Sequence, residues 1–228
     1  MTNHKVKDGE VGVSINVAGD GILLQVTDSM NASQSRAVLS IEDAYWLREE
    51  LEEYITMAKN KSPIVQFYLH KGKDSEGRTL KEIWGWCDDR LEYGHDFIQW
   101  VFPLTEPSNF NSDAPLLTHD DIYCFKSNDL LQLNLIQSFK VFLGFLGLKY
   151  DEEILHVVKG DNFKEREALW KNINHNWLRI TRVLKCLHTL GLQEYARRFY
   201  DCLADLRDEG YGSGNSFKFW QEAARGGK

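Results

Sequence analysis

Apolar and polar residues alternate along "VGVSINV" (11–17) and "GILLQVTD" (21–28), the period of a strand with one covered face. Between them "AGDG" supplies Asp20-Gly21, a hairpin-turn pair. "QSRAVLS" (34–40) is a candidate third strand. Ser40, with Asp43 three residues on, makes a capping-box pattern. Ala44, Leu47, Leu51, Tyr54, Ile55 and Ala58 then recur at helical spacing. Residues 1–60 are therefore expected to form a small α+β unit of ββ(β)α order. So short a sheet must be covered by its helix, a partner chain or the next domain.

The period changes after "AKNKSP" (58–63), the expected domain boundary, where Pro63 disfavours helix at Ser62. From 61 to 228 the pattern is almost wholly helical. "IVQFYL" reads as a short extended entry and "HKGKDSEGR" as a polar loop. Thr79 with Glu82, and Thr118 with Asp121, mark two helix starts. One helix is expected from about Glu92 to Phe102, stopping at Pro103. A loop holding Pro103, Pro107 and Pro115 follows. Leu130 to Leu146 is so apolar that its helix must be central. Lys149 to Asn162 reads as irregular. Further helices are expected at about 163–173, 176–189 and 193–208, then a last amphipathic piece, "FKFWQEAAR", after "YGSGNS". The fold class is mainly α: a multi-helix bundle behind a small α+β unit.

Composition narrows the functions. With 43% hydrophobic and 12% aromatic residues in 228, the chain can bury a sizeable core. A net charge of −7 disfavours duplex nucleic acid, although residues 164–198 hold eight Lys or Arg against three Glu. The four cysteines form no CxxC pair and read as reduced thiols of a cytosolic protein. "MTNHKVKDGE" lacks the apolar core of a signal peptide, and the longest apolar run, "VFLGFLGL", is too short to span a bilayer. A soluble, cytoplasmic protein is expected.

The candidate chemistry lies in two stretches. On a helical wheel of "HNWLRITRVLKCLHTLGL" (175–192), Trp177, Ile180, Val183, Leu184 and Leu187 share one side. His175, Arg179, Arg182 and Cys186 form a stripe almost opposite. That stripe is either a solvated basic face or an anion cradle, with His175 and Asn176 at the cap and two guanidiniums one turn apart. Cys186 reads as a packing residue rather than a nucleophile. In "EYGHDFIQWVF" the polar stripe is Glu92, His95, Asp96 and Gln99. His95 and Gln99 either tie this helix to a neighbour or face Arg179 and Arg182 across a pocket walled by Trp100 and Trp177. The candidate ligand-binding set is thus His95, Gln99, Trp100, His175, Asn176, Arg179 and Arg182. No catalytic set, metal site or cofactor motif is assigned: "THDD" (118–121) and "DDRLE" (88–92) read as a helix start and a solvated face, and no phosphate-binding loop or GxSxG occurs.

"GRTLKEIWGWCDDRLEYGHDFIQWVFPLTEPSNFNSDAPLLT", "FLGFLGL" and "NHNWLRITRVLKCLHTLGL" together resemble the conserved domain of the opioid growth factor receptor family. The strongest blocks run from His95 to Pro103 and from His175 to Arg182, and the resemblance covers roughly Ile64 to Leu206. It implies a helical domain. In animal members it implies a soluble, nucleus-associated protein that binds an enkephalin peptide and restrains proliferation. The compact chain, without the repeat-bearing tail of animal members, looks like the bacterial ones. The leading expectation is a non-catalytic domain that binds a peptide, a protein or a small anionic ligand. The competing one is an enzyme acting on a phosphate- or carboxylate-bearing substrate, with His95 or His175 as acid or base and the arginines as clamp. The N-terminal unit is expected to support homo-oligomer formation through an open strand edge.

Overall fold

The computed structural model describes residues 2–5, 11–18, 21–28, 33–48, 62–108, 111, 114–171, 174–212 and 214–226. The chain divides into two units, Met1–Lys59 and Asn60–Lys228.

The first unit is a four-stranded antiparallel sheet in sequence order: β1 (Thr2–Lys5), β2 (Val11–Ala18), β3 (Gly21–Asp28) and β4 (Ser33–Leu39). Pairing sets Ile15 opposite Leu24 and Leu24 opposite Ala37, so apolar positions of neighbouring strands share a face. β1 was not expected, because "TNHK" carries no apolar alternation. The Asp20-Gly21 turn falls partly outside the described residues; Gly21 is already strand, opposite Ala18. Helix α1 covers residues 41–48. Its start follows the capping box: Asp43 N donates to Ser40 Oγ at 3.0 Å, and Ser40 N to Asp43 Oδ2 at 3.3 Å. Leu51, Tyr54, Ile55 and Ala58 lie outside the described residues.

The second unit opens with α2 (Pro63–Tyr68), where an extended entry was expected. Proline at the first helical position costs no hydrogen bond, and Ile64, Val65, Phe67 and Tyr68 are all buried. A run apolar on every side suits a buried helix as well as a strand. α3 (Leu80–Trp84) and α6 (His119–Ser127) begin at the expected capping boxes, Thr79–Glu82 and Thr118–Asp121. The single helix expected over 92–102 is two: α4 (Asp88–Tyr93) ends at Gly94, and α5 (Ile98–Val101) starts afresh. α7 (Asp129–Phe145) is the central helix: it packs on α2 and α6 and buries Leu131, Leu135, Phe139, Phe142 and Leu143, with Phe142 edge-on to Phe102 and Phe139 edge-on to Phe199.

Lys149 to Asn162 is not irregular. It holds an antiparallel hairpin of β5 (Leu148–Asp151) and β6 (His156–Lys159). The helix expected at 163–173 is two short turns, α8 (Phe163–Arg166) and α9 (Ala168–Lys171). Then come α10 (His175–Thr189), α11 (Gln193–Asp208) and α12 (Gly214–Ala224). α10 packs on α11 and α12 with Ile180, Val183, Leu184 and Leu187 fully buried. Gly147, at φ +80°, turns the chain out of α7 into β5; a Cβ there would meet Phe163 Cα at 2.9 Å.

Candidate functional site

α10 starts one residue earlier than the wheel assumed. Asn174 is the cap, its Oδ1 accepting from Asn176 N at 2.9 Å. One turn on, Arg179 is only 6% exposed. Its Nη1 donates to Leu91 O at 2.7 Å and to Asn176 Oδ1 at 3.1 Å. Its Nη2 donates to Gly94 O at 2.5 Å and to Glu92 O at 3.3 Å. These carbonyls close α4, where the last turn leaves acceptors without helical partners and the helix dipole is negative. A planar guanidinium satisfies several at once. Burial pulls the Arg179 guanidinium below its ordinary value, and the Glu92 carboxylate partly restores it.

Two imidazoles stand beside this clasp. His95 Nδ1 lies 3.3 Å from Arg179 Nη2. Arginine only donates, so this nitrogen faces it as an acceptor. His175 packs edge-on against His95, ring centres 5.2 Å apart, with its Nε2 3.4 Å from Glu92 Oε1. Glu92 Oε2 also accepts from the fully buried Asn176 Nδ2 at 3.0 Å. Burial, then the charge of Arg179, holds His175 below the usual imidazole value. Two stretches 84 positions apart therefore do meet.

Outward from the clasp runs a cleft of about 540 Å³. Ile98, Leu104, Pro107 and Leu178 supply its apolar lining. Leu178 is 60% exposed on the rim. Gln99, 4% exposed, lines it with Ser108; with its amide nitrogen toward the His95 and Asp96 carbonyls, each 3.3 Å away, its oxygen is left to face Ser108 Oγ. Arg182 Nη1 donates to Phe102 O at 3.1 Å, and burial lowers its pKa too. Lys185 Nζ reaches across to Glu106 Oε1 at 2.6 Å.

Of the seven candidate residues, His95, Gln99, His175, Arg179 and Arg182 line the cleft. Asn176 and Trp100 do not. Trp100 is 5% exposed and packs edge-on against Phe67, and Trp177 is buried against Trp220 at 5.6 Å. The walls are thus aliphatic, and the expected tryptophan walls are corrected. The solvated stripe is corrected as well: Arg179 and Cys186 are buried, because α10 is packed on two sides and a one-faced wheel does not apply. Burial pushes the Cys186 thiol far up, which keeps it protonated. Sequence reasoning missed Glu92's bridging role, Leu178, Lys185, Glu106 and Ser108. Lys185 was accessible as the residue one turn after Arg182. Glu106 and Ser108 sit on a proline-rich loop with no period to read.

The basic run 164–198 is broken up by ion pairs, including Arg166 with Asp88 (3.6 Å) and Lys171 with Glu167 (3.0 Å). Among the described residues no three His, Cys, Asp or Glu gather to hold a metal, and no helix is long and apolar enough to cross a membrane.

A family model described as the opioid growth factor receptor conserved region matches residues 57–203, which takes in the whole clasp and cleft and stops short of α12. Opioid growth factor receptor-like protein 1 of Xenopus tropicalis is 30% identical over 175 residues, covering 74% of this chain and 34% of that protein. The opioid growth factor receptor of Mus musculus is 39% identical over 113 residues, 48% of this chain and 18% of its own length. That of Homo sapiens is 39% identical over 116 residues, 48% and 16% respectively. The chain thus spans about a third of these relatives or less. No solved structure matches it.

Proposed function

The chain belongs to the family of the opioid growth factor receptor conserved region, and from that premise we propose that its helical unit is a binding module whose cleft along α10 takes up a segment of a peptide or protein partner. The relatives are named as receptors for a growth factor, which fits a polypeptide ligand. The carrying observation is the cleft itself. Its volume, about 540 Å³, is that of a ligand pocket; its floor is apolar; and a leucine stands exposed on its rim beside polar groups of restricted geometry. Binding without catalysis is the better reading because the imidazoles are already engaged, His95 with Arg179 and His175 with Glu92, and the nearby Cys186 thiol is buried.

Selection from a displayed peptide library on the full chain tests this. Selected peptides should bind at least about tenfold more weakly to Leu178→Arg, which alters only an exposed rim position. Equal binding to both proteins, or no enrichment, overturns the reading. A second reading, turnover of an anionic substrate, draws on His95 and His175 in the cleft lining beside the Arg179 clasp. It requires p-nitrophenyl phosphate hydrolysis that His175→Gln removes, and wild-type hydrolysis at the blank rate ends it. Three buried free thiols fit a reducing, cytoplasmic setting. The outer strands β1 and β4 are the elements through which the N-terminal unit would pair with a second copy.

A further inference from the structure

Arg182 and Lys185 stand one turn apart on α10, and both line the cleft. Facing them, Glu106 sits three residues past Pro103, between Leu104 and Pro107, which also line the cleft. Its carboxylate holds Lys185 at 2.6 Å, but the two side chains are 56% and 29% exposed. Arg182 donates to a neutral partner, the Phe102 carbonyl; the Glu106 charge also acts on it, but among the described residues no carboxylate lies within ion-pair distance of it. The described lining thus carries Arg179, Arg182 and Lys185 against the single carboxylate of Glu106. Arg179 is committed to the end of α4. The positive charge left over is concentrated at the Arg182–Lys185 end, and the one anion there belongs to the protein's own loop.

We propose that this end of the cleft is a subsite for an anionic group of the ligand, a carboxylate or a phosphate, and that Glu106 is an internal stand-in which the incoming anion displaces from Lys185. The inference rests on reading the cleft as the binding site. It specifies the ligand class: an apolar group for the floor of Ile98 and Leu104, next to a negative charge within reach of Lys185 and Arg182. A guanidinium has five donors and Arg182 uses one on Phe102, so it can meet the anion while keeping its tie to the loop. The exchange is energetically accessible because a part-exposed ion pair contributes little, and the ligand's charge replaces it with an equivalent contact.

The test is a titration of the full chain, followed by NMR, with inorganic phosphate and separately with acetate, sodium chloride holding ionic strength constant. Shifts are expected at Arg182, Lys185 and Leu178. Glu106→Gln should lower the apparent Kd by about two- to fivefold, the worth of an exposed pair, and Lys185→Gln should raise it similarly. Both substitutions fall on part-exposed side chains, and an unchanged amide spectrum outside the cleft verifies the fold. Saturation by phosphate alone, acetate alone or both supports the subsite and assigns its anion. Shifts confined to other residues, or a Kd untouched by Glu106→Gln, overturn it. Failure of the subsite is separable from failure of the cleft: anions would leave Arg182 and Lys185 silent while Leu178→Arg still weakened binding of the selected peptides.

Discussion

At the scale of the residue, Arg179 is the side chain on which fold and site meet. Its truncation leaves the Leu91 carbonyl and the Asn176 amide oxygen short of a donor in a buried place, and the Glu92 and Gly94 carbonyls in a part-buried one. Each such loss costs about 1–3 kcal/mol, not additively, so Arg179→Ala should lower stability by at least about 3 kcal/mol in urea unfolding. Arg179→Lys should recover less than half, because an ammonium cannot span the fork. Full stability in either variant would show that the clasp is dispensable. His175 and His70 carry a second expectation. Burial chiefly lowers both below an ordinary imidazole. A base with a depressed folded pKa contributes stability that is complete above about pH 6.5 and is lost as pH falls from there toward the folded value. The urea midpoint should therefore drop between about pH 7 and pH 5.5, and drop less in His175→Gln; equal slopes in the two proteins would refute the assignment.

At the scale of the element, α12 shows how a segment beyond the family match completes the core. Trp220 is 1% exposed, packs on Trp177 and donates its Nε1 to the Trp177 carbonyl at 3.1 Å. Trp220→Ala should cost about 3–5 kcal/mol, measured by thermal unfolding. A loss under about 1 kcal/mol would mean that α12 merely rests on the surface. What the sequence disclosed follows from range. The capping boxes at Ser40, Thr79 and Thr118 and the long apolar run of α7 are local, and each stands where it was read. The break between α4 and α5 is not local. It leaves three carbonyls to an arginine 85 or more positions away, and nothing within "EYGHDFIQWVF" announces that partner. The same holds for the site. His95, Gln99, His175, Arg179 and Arg182 were legible as polar stripes, while the burial of Arg179 and Cys186 was not, because a wheel cannot say how many neighbours a helix has. Glu106 and Ser108 follow no period at all.

At the scale of the whole molecule, the helical unit has a core of its own, with Phe67, Tyr68, Phe139, Trp170, Phe199 and Trp220 each at most 1% exposed. A chain of residues 60–228 should therefore unfold cooperatively at a temperature within about 3 °C of the full chain, read by calorimetry. A fall of more than about 10 °C would assign a structural duty to the first unit. Within the helical unit, the cleft has one wall that is also its keystone and one that is not. Arg179 cannot be exchanged without unseating the end of α4, whereas Leu178, Lys185 and Glu106 are half-free of the fold. Laboratory evolution toward a new ligand should then yield changes almost solely along that outer margin, and preference should drift while the imidazole side stays as it is.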